Sequence, residues 1–360
     1  MSALPKADPR KLLALVGANW TTQAIGAAVQ LGVVDRLAER PRKVASLAKL
    51  TKCEPDALER LLRSLVSIDI VAVDEGLYAL TPTGSLLRED VPGSIRWWAL
   101  WCSGTQWTLW GDLAESVRTG RSFRERHGGM PGYAHLERDA EAANVFNRAM
   151  AGLTQRVGRE AARVMIWRGV KRVVDVGGGH GELLVELLKA KPALEGVVFD
   201  LPHAAKGAIA RLKAERLASR GRFVSGSFFE ALPEGADAYL LKSILHNWDD
   251  GKSLAILKQV RAAMAPGSRV VLVERVLPER PRGGRRDNAI VRSDLNMLVS
   301  LGGRERTRKE FAAMLAKVGF GAPTVKATAT DYSVIEAGAA EPAQAQRHRA
   351  GPRHASATQR

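Results

Sequence analysis

At 360 residues, with 46% hydrophobic and 26% charged side chains, the chain has the composition of a globular protein with room for two cored domains, which excludes collagen-like, low-complexity and intrinsically disordered classes. Its formal net charge of +16 invites a nucleic-acid partner, but four arginines fall in one Pro/Gly loop (Arg280, Arg282, Arg285, Arg286), four near the end (Arg347, Arg349, Arg353, Arg360), and the rest of the charge is scattered, so a solvated surface is expected instead. Cys53 and Cys102 stand alone, without a CxxC or His/Cys cluster, which indicates neither a disulfide framework nor a metal site; no apolar run is read as membrane-spanning and no apolar leader opens the chain, so a cytoplasmic protein is expected.

In chain order, apolar positions from Leu12 to Leu37 recur at helical spacing and predict two helices between Lys11 and Glu39. Lys43–Leu50, Glu54–Ile68 and Val71–Leu80 predict helix, turn, helix and a hairpin turning at Asp74-Glu75-Gly76, closed by Thr81-Pro82-Thr83-Gly84. This is the order of a winged helix. A DNA-reading helix would present a basic face, whereas Asp56 and Glu59 interrupt this one, so a dimerisation or substrate-lid role is expected over DNA binding.

Residues 94–150 concentrate aromatic side chains: Trp97, Trp98, Trp101, Trp107 and Trp110, then Phe123, Tyr133 and Phe146. Such a cluster predicts an apolar pocket or a subunit interface, with plain core as the alternative. Glu137–Trp167 predicts a long helix leading into the strand Val173–Val176. A glycine turn follows at 177, 178, 179 and 181, then an amphipathic helix to about Lys191 and a strand ending at Asp200. Beyond it the pattern alternates: helix Ala204–Arg220, strands Arg222–Val224 and Asp237–Lys242, helix Gly251–Met264, strand Arg269–Glu274, helix Lys309–Val318, and an antiparallel pair at about 324–329 and 332–336. That alternation predicts an α/β fold with a doubly wound, mostly parallel, Rossmann-like sheet. After Ala337 no apolar pattern remains and disorder is expected. The expected division is 1–90 for the winged-helix-like domain, 91–160 for a helical linker and pocket segment, 161–337 for the sheet domain, and 338–360 for a basic tail.

The glycine turn carries the first chemical signal. Gly177 and Gly179 let a ligand lie against bare backbone, and Asp200 can accept both hydroxyls of a ribose. A dinucleotide fingerprint needs a small residue three positions after Gly179, where Glu182 stands, so a nucleoside without pyrophosphate fits better. Ligands of open α/β sheets sit beyond the carboxyl ends of the strands, which singles out His246, Glu274 and Glu305. An imidazole there can take a phenolic proton, and a carboxylate beside it can fix its tautomer.

Taken together, D-V-G-G-G-x-G at 175–181, G-x-F-F at 226–229, L-K-x-x-L-H-x-W-x-D at 241–250 and G-G-x-E-R-T at 302–307 resemble the plant-type and actinobacterial small-molecule O-methyltransferases, the family of caffeate, hydroxyindole and anthracycline methyltransferases, over about residues 10–337. The resemblance implies a homodimer formed through the winged-helix domain and S-adenosyl-L-methionine held by Gly177, Gly179, Asp200, Ser227, Phe228 and Lys242. It also implies His246 as general base flanked by Glu274 and Glu305, and an aromatic acceptor lined by Met150, Asn247, Asn296 and Met297. One position departs from the family. Ser227 stands where a carboxylate usually accepts the adenine amino group, and a neutral hydrogen bond is roughly half as strong as a charge-assisted one. The expected activity is methylation of a phenolic or enolic hydroxyl of an aromatic small molecule, with a secondary metabolite as the candidate acceptor. The alternatives are a same-scaffold hydroxylase or decarboxylase that does not transfer methyl, and a winged-helix DNA-binding regulator.

Overall fold

Runs of β-branched and aliphatic residues that can be buried on both faces build the centre of the molecule. In the computed structural model, which describes residues 7–129 and 139–340, these runs form β3 (Arg172–Val176), β4 (Glu195–Asp200), β5 (Gly221–Ser225), β6 (Ala238–Lys242) and β7 (Arg269–Glu274). With the edge strands β10 (Thr324–Ala327) and β11 (Ser333–Gly338) they make one sheet in the order β10-β11-β7-β6-β3-β4-β5. Strands β5, β4, β3, β6 and β7 pair in parallel, while β11 runs antiparallel to both β7 and β10. The predicted doubly wound sheet with an antiparallel edge is the observed one.

Helices cover both faces because the parallel strands leave no polar side. Helices Asp250–Ala263 and Arg308–Lys317 pack Ile256, Leu257, Val260, Phe311 and Leu315 against one face. Helix Glu182–Ala190 and the end of helix Ala140–Val164 pack Leu184, Leu187, Val157 and Ala161 against the other. The chain leaves β3 toward β4 and β5, then returns to β6 on the opposite side. The carboxyl ends of β3 and β6 therefore border the switch point, where such sheets open a crevice.

Residues before the sheet domain form a third core around Leu47, Leu58, Leu62 and Leu65. Three helices, Pro9–Val16, Ala18–Gln30 and Val33–Glu39, replace the two expected, because the chain breaks at Gly17 and again at Gly32, whose φ is +72°. The apolar content of Pro9–Gln30 was also under-read: by length and composition alone this stretch could cross a membrane. Here Leu12, Leu13, Leu15, Val16 and Trp20 stand exposed, Leu13 at 72% and Trp20 at 76%, while Ala28 and Val29 are buried. The wing is a hairpin of β1 (Val71–Asp74) and β2 (Leu77–Leu80). Glu75 and Gly76 both have positive φ, which is the two-residue turn whose twist matches the strands.

Four short helices, Arg96–Ser103, Thr105–Trp110, Leu113–Thr119 and Phe123–Arg126, hold the aromatic segment. Its tryptophans are not alike. Trp101 is buried, with its ring centroid 5.1 Å from that of Phe146, whereas Trp107 is exposed. Helix Ala140–Val164 begins after the N-cap Asp139, whose side chain accepts from the Ala142 N–H. The expected onset at Glu137, together with Tyr133, lies outside the described residues. The helix expected over Ala204–Arg220 stops at Ala214, and Arg216 turns the chain with φ +57°.

Arg285 and Arg286 do not belong to a loop. They open a 17-residue helix, Arg285–Leu301, launched by Gly283 and Gly284 at positive φ. Arg286 donates to the carbonyls of Thr328, Thr330 and Tyr332. Two short strands, β8 (Val276–Leu277) and β9 (Arg306–Thr307), pair in parallel beside the sheet. The edge ladder runs past Ala337 to Gly338, and Ala339 bridges to Phe320; residues 341–360 lie outside the described residues.

Candidate active site

Strand β3 ends at Val176 and the next four glycines fold tightly at its carboxyl end. Gly177 sits at φ +69°, and a Cβ there would come within 2.5 Å of Ile244 Cδ1 and 3.3 Å of the Phe228 ring. A Cβ on Gly178 would meet the Asp175 carboxylate at 2.7 Å. Gly179 and Gly181 also have positive φ, and Gly181 caps helix Glu182–Ala190. Asp200, at the tip of β4, accepts from the Gly179 N–H through Oδ2 and from the Leu201 N–H through Oδ1, each at 2.7 Å. Both remain able to accept from a ligand, since a carboxylate has about four lone-pair directions.

Phe228 closes this crevice with Phe229 and Trp248, their ring centroids 5.0–6.2 Å apart in tilted and edge-on pairs. Ser227 is half-buried, and its Oγ accepts from the Phe229 N–H at 3.2 Å. Lys242 leaves the tip of β6 and donates to Thr154 Oγ1 at 2.8 Å; that hydroxyl donates in turn to the Met150 carbonyl at 2.7 Å. Desolvation pulls the lysine down to about 8. Burial pushes Asp175 up to about 7, and its Oδ2 has no hydrogen-bond partner among the described residues. A cradle in which added Cβ atoms would collide, a ribose-competent carboxylate and an aromatic wall fit a nucleoside such as that of S-adenosylmethionine.

Beyond Lys242 the chain turns through Ser243, held at φ +56°, into a single 3-10 turn, Leu245–Asn247. This turn buries His246 over the tips of β6 and β7. Glu305 Oε1 lies 3.0 Å from His246 Nδ1, while Glu274 Oε2 is 3.8 Å away. The two acids are differently held. Glu274 Oε1 accepts from the Ile244 and Leu245 amides at 2.9 and 3.0 Å, which anchors the turn itself. Glu305 Oε1 also accepts from the Ser293 hydroxyl at 2.6 Å, and Arg275 Nη1 approaches it to 4.0 Å.

Environment separates the three groups electrostatically. Burial opposes charge on His246, but Glu305 and Glu274 outweigh it and hold the imidazole above its ordinary value. Burial likewise raises Glu274. On Glu305 burial is overcome by His246, Arg275 and Ser293, so this carboxyl lies below its ordinary value. An ionised Glu305 has no proton to give, so in the neutral ring Nδ1 carries the hydrogen and Nε2 keeps the lone pair.

Two residues that frame the histidine escaped the sequence reading. Arg306 is fully buried and donates to the Leu245 and Trp248 carbonyls at 2.8 and 2.9 Å, neutralised by Asp250 at 2.8 Å. Its signal was the arginine inside G-G-x-E-R-T. Ser293, on a helix that the sequence reading passed over, had no local signal. Gly303 was quoted only as motif, yet a Cβ there would lie 2.1 Å from the His246 carbonyl oxygen.

The four acceptor-side residues come from three elements. Asn247 is buried, with Nδ2 donating to the Ser243 carbonyl at 2.9 Å. Asn296 Oδ1 accepts from Trp110 Nε1 at 2.9 Å, tying the aromatic segment to the sheet domain, and Met297 beside it is buried. Met150 contributes its main-chain carbonyl, which accepts from the Thr154 hydroxyl that Lys242 contacts. A cleft lined by Asn247, Trp248, Ser300, Gly302, Ser122 and Glu125 opens next to the histidine turn.

Comparison with known proteins matches residues 110–321 to an O-methyltransferase domain and residues 13–90 to an O-methyltransferase dimerisation domain. The chain belongs to the O-methyltransferase family. It is 36% identical to the phenazine O-methyltransferase of Lysobacter antibioticus over 91% of this chain and 95% of that protein. It is 39% identical to the 3-amino-4-hydroxybenzoate 4-O-methyltransferase of Streptomyces cremeus over 88% and 87%. Among solved structures, human N-acetylserotonin methyltransferase in complex with S-adenosylmethionine superposes with a TM-score of 0.86 at 29% identity, covering 95% of this chain and all of that one. The protein is an S-adenosylmethionine-dependent O-methyltransferase, a class I methyltransferase sheet joined to a dimerisation domain. The hydroxylase, decarboxylase and DNA-regulator alternatives find no support.

Proposed function

We propose that this O-methyltransferase methylates a phenolic or enolic hydroxyl of an aromatic small molecule of secondary metabolism, with His246 as general base. The observation that carries the reading is the Glu305–His246 Nδ1 contact of 3.0 Å, which leaves Nε2 as the acceptor. When bound, S-adenosylmethionine supplies an electrophilic methyl group on a sulfonium. Gly177, Gly179, Asp200, Phe228 and Lys242 would hold it, with Ser227 offering a neutral hydroxyl to the adenine. His246 takes the acceptor proton at Nε2 as its oxygen becomes nucleophilic, and Glu305 stabilises the imidazolium. Glu274 fixes the turn that carries the ring. Methyl transfer is an in-line displacement, so alignment and exclusion of water by Trp110, Asn296, Met297, Asn247 and Met150 provide much of the acceleration.

The reading includes the domain division 1–90, 91–160 and 161–337, a homodimer built on the dimerisation domain, and the cytoplasm as compartment. In support of the last, Cys53 and Cys102 are both free thiols.

Single-turnover methyl transfer from labelled cofactor, measured for wild type and His246→Ala across phenols of differing acidity, tests the base. The variant is expected to lose roughly 10²- to 10⁴-fold for weakly acidic acceptors, and less for acceptors that ionise unaided. Equal rates on a weakly acidic phenol would leave positioning alone as the mechanism.

A further inference from the structure

Two buried carboxylates around one imidazole share protons as a set unless something separates them. Glu305 and Glu274 are in that position, and Arg275 is the asymmetry between them. From the tip of β7 its side chain turns toward Glu305. Its Nη1 lies 4.0 Å from Glu305 Oε1, and its guanidinium is fixed from behind by residues of the β10–β11 hairpin tip. Nε donates to Asp331 Oδ2 at 2.6 Å, Nη1 donates to the Tyr332 hydroxyl at 2.8 Å, and the guanidinium carbon stands 4.3 Å from the Tyr332 ring centroid. The same hydroxyl shares a 2.9 Å hydrogen bond with Ser243, in the strained turn leading to His246. Arg286 holds the hairpin tip through three of its carbonyls.

We propose that Arg275, braced by Asp331 and Tyr332, is a positioning residue that fixes the charge of Glu305 behind His246 and offsets part of the pull of the two carboxylates on the imidazolium, so that the ring can give up its proton and act again as a base. The inference rests on His246 being the base. The remaining charged groups near the cage do not substitute for it. Glu274 adds negative charge, and Asp294 accepts the Glu305 amide at 2.8 Å. Lys242 lies 5.8 Å from the Tyr332 ring and is bonded to Thr154, and Arg306 is paired with Asp250. Without the guanidinium both Glu305 and His246 lose a positive neighbour, so each keeps its proton to higher pH.

The test is a pH titration of the full-length protein, labelled with ¹³C in its histidine rings, followed by NMR. There are seven histidines, and the resonance missing from His246→Gln assigns the one of interest. Arg275→Gln is expected to raise the His246 midpoint by about one pH unit, whereas Arg275→Lys keeps the charge and most of the wild-type midpoint. Asp331→Asn is expected to lower it, because the guanidinium loses its neutralising carboxylate while Tyr332 still holds it. Calorimetric affinity for S-adenosylhomocysteine, retained within about threefold, shows that each variant is folded. An unmoved or lowered midpoint in Arg275→Gln would overturn the proposal. If that variant does not fold, an unmoved or raised midpoint in Asp331→Asn overturns it instead. No methyl transfer is measured, so a failure here is distinct from a fully active His246→Ala, which would remove the base itself.

Discussion

Glu274 and Glu305 are alike on paper and unlike in place. Glu305 touches the imidazole and is held ionised, while Glu274 spends one oxygen on two backbone amides and lies 3.8 Å from Nδ1. Glu305→Gln should therefore cost roughly 10- to 100-fold in kcat, because the imidazolium loses its counter-charge, whereas Glu274→Gln should cost less. The pH dependence follows from the same contacts. His246 titrates above the ordinary 6.5, so the acid limb of kcat/KM should lie above that pH in wild type. With Glu305 neutral, burial dominates and the limb should move down. Rate profiles that place the Glu274→Gln limb lower than the Glu305→Gln limb would reverse the assignment of the two acids. Stability carries the matching signs. The raised pKa of His246 stabilises the fold fully below 6.5, and that contribution is lost as pH rises through the folded value. The lowered pKa of Glu305 stabilises above 4.5, lost as pH falls through its folded value.

The elements that carry these residues were unevenly legible. Strand β7 was read with its observed limits, Arg269–Glu274, because a buried parallel strand is a continuous aliphatic run between turn residues. Helix Arg285–Leu301 was not seen: Asp287, Asn288, Arg292, Ser293, Asp294 and Asn296 dilute an apolar face that buries only Ile290, Met297 and Val299 among its large aliphatic side chains. Asn296 and Met297 were named from the family resemblance without their helix, and Ser293 was not named. Arg275–Asp331 and Lys242–Thr154 join residues 56 and 88 positions apart, a distance over which periodicity carries no signal. Glycine 303 shows the opposite case, a residue seen as motif whose reason is purely spatial. A Cβ there would lie 2.1 Å from the His246 oxygen and 2.7 Å from the Asn247 carbonyl carbon, both backbone atoms that cannot rotate away. Gly303→Ala should cost about 1–3 kcal/mol, a fall in Tm of several degrees. It should also lower kcat far more than cofactor affinity, because it displaces the histidine turn and not the glycine cradle. Scanning calorimetry and kcat at wild-type levels would show that the loop relaxes freely.

At the scale of the whole molecule the unfinished surface is the N-terminal helix pair. Leu12, Leu13, Leu15, Val16 and Trp20 are all more than half exposed on consecutive turns of Pro9–Val16 and Ala18–Gln30, and all but Leu12 lie inside the segment that matches a dimerisation domain. A contiguous apolar face of this kind is not left in water by a stable monomer, and a second copy of the chain is the partner that this domain implies. The association should resist salt, because apolar burial is unscreened while charged contacts weaken within about 10 Å at 0.1 M ionic strength. It should also reach the active site. Helix Ala18–Gln30 packs on Arg96–Ser103 so closely that a Cβ on Gly26 would strike Ser103, and Gln23 donates to the Ser103 carbonyl. The aromatic segment continues from there to Trp110 and its bond to Asn296. The double substitution Leu13→Asp with Trp20→Ser changes only exposed side chains, so the protomer should fold while the dimer does not. Light scattering should then report 39.0 kDa in place of twice that mass, and KM for the acceptor should rise several-fold with cofactor affinity held, since the pocket wall loses its support and the glycine cradle does not. A double variant that stays dimeric would move the interface elsewhere, and a wild-type protein of monomer mass at both low and high salt would remove it.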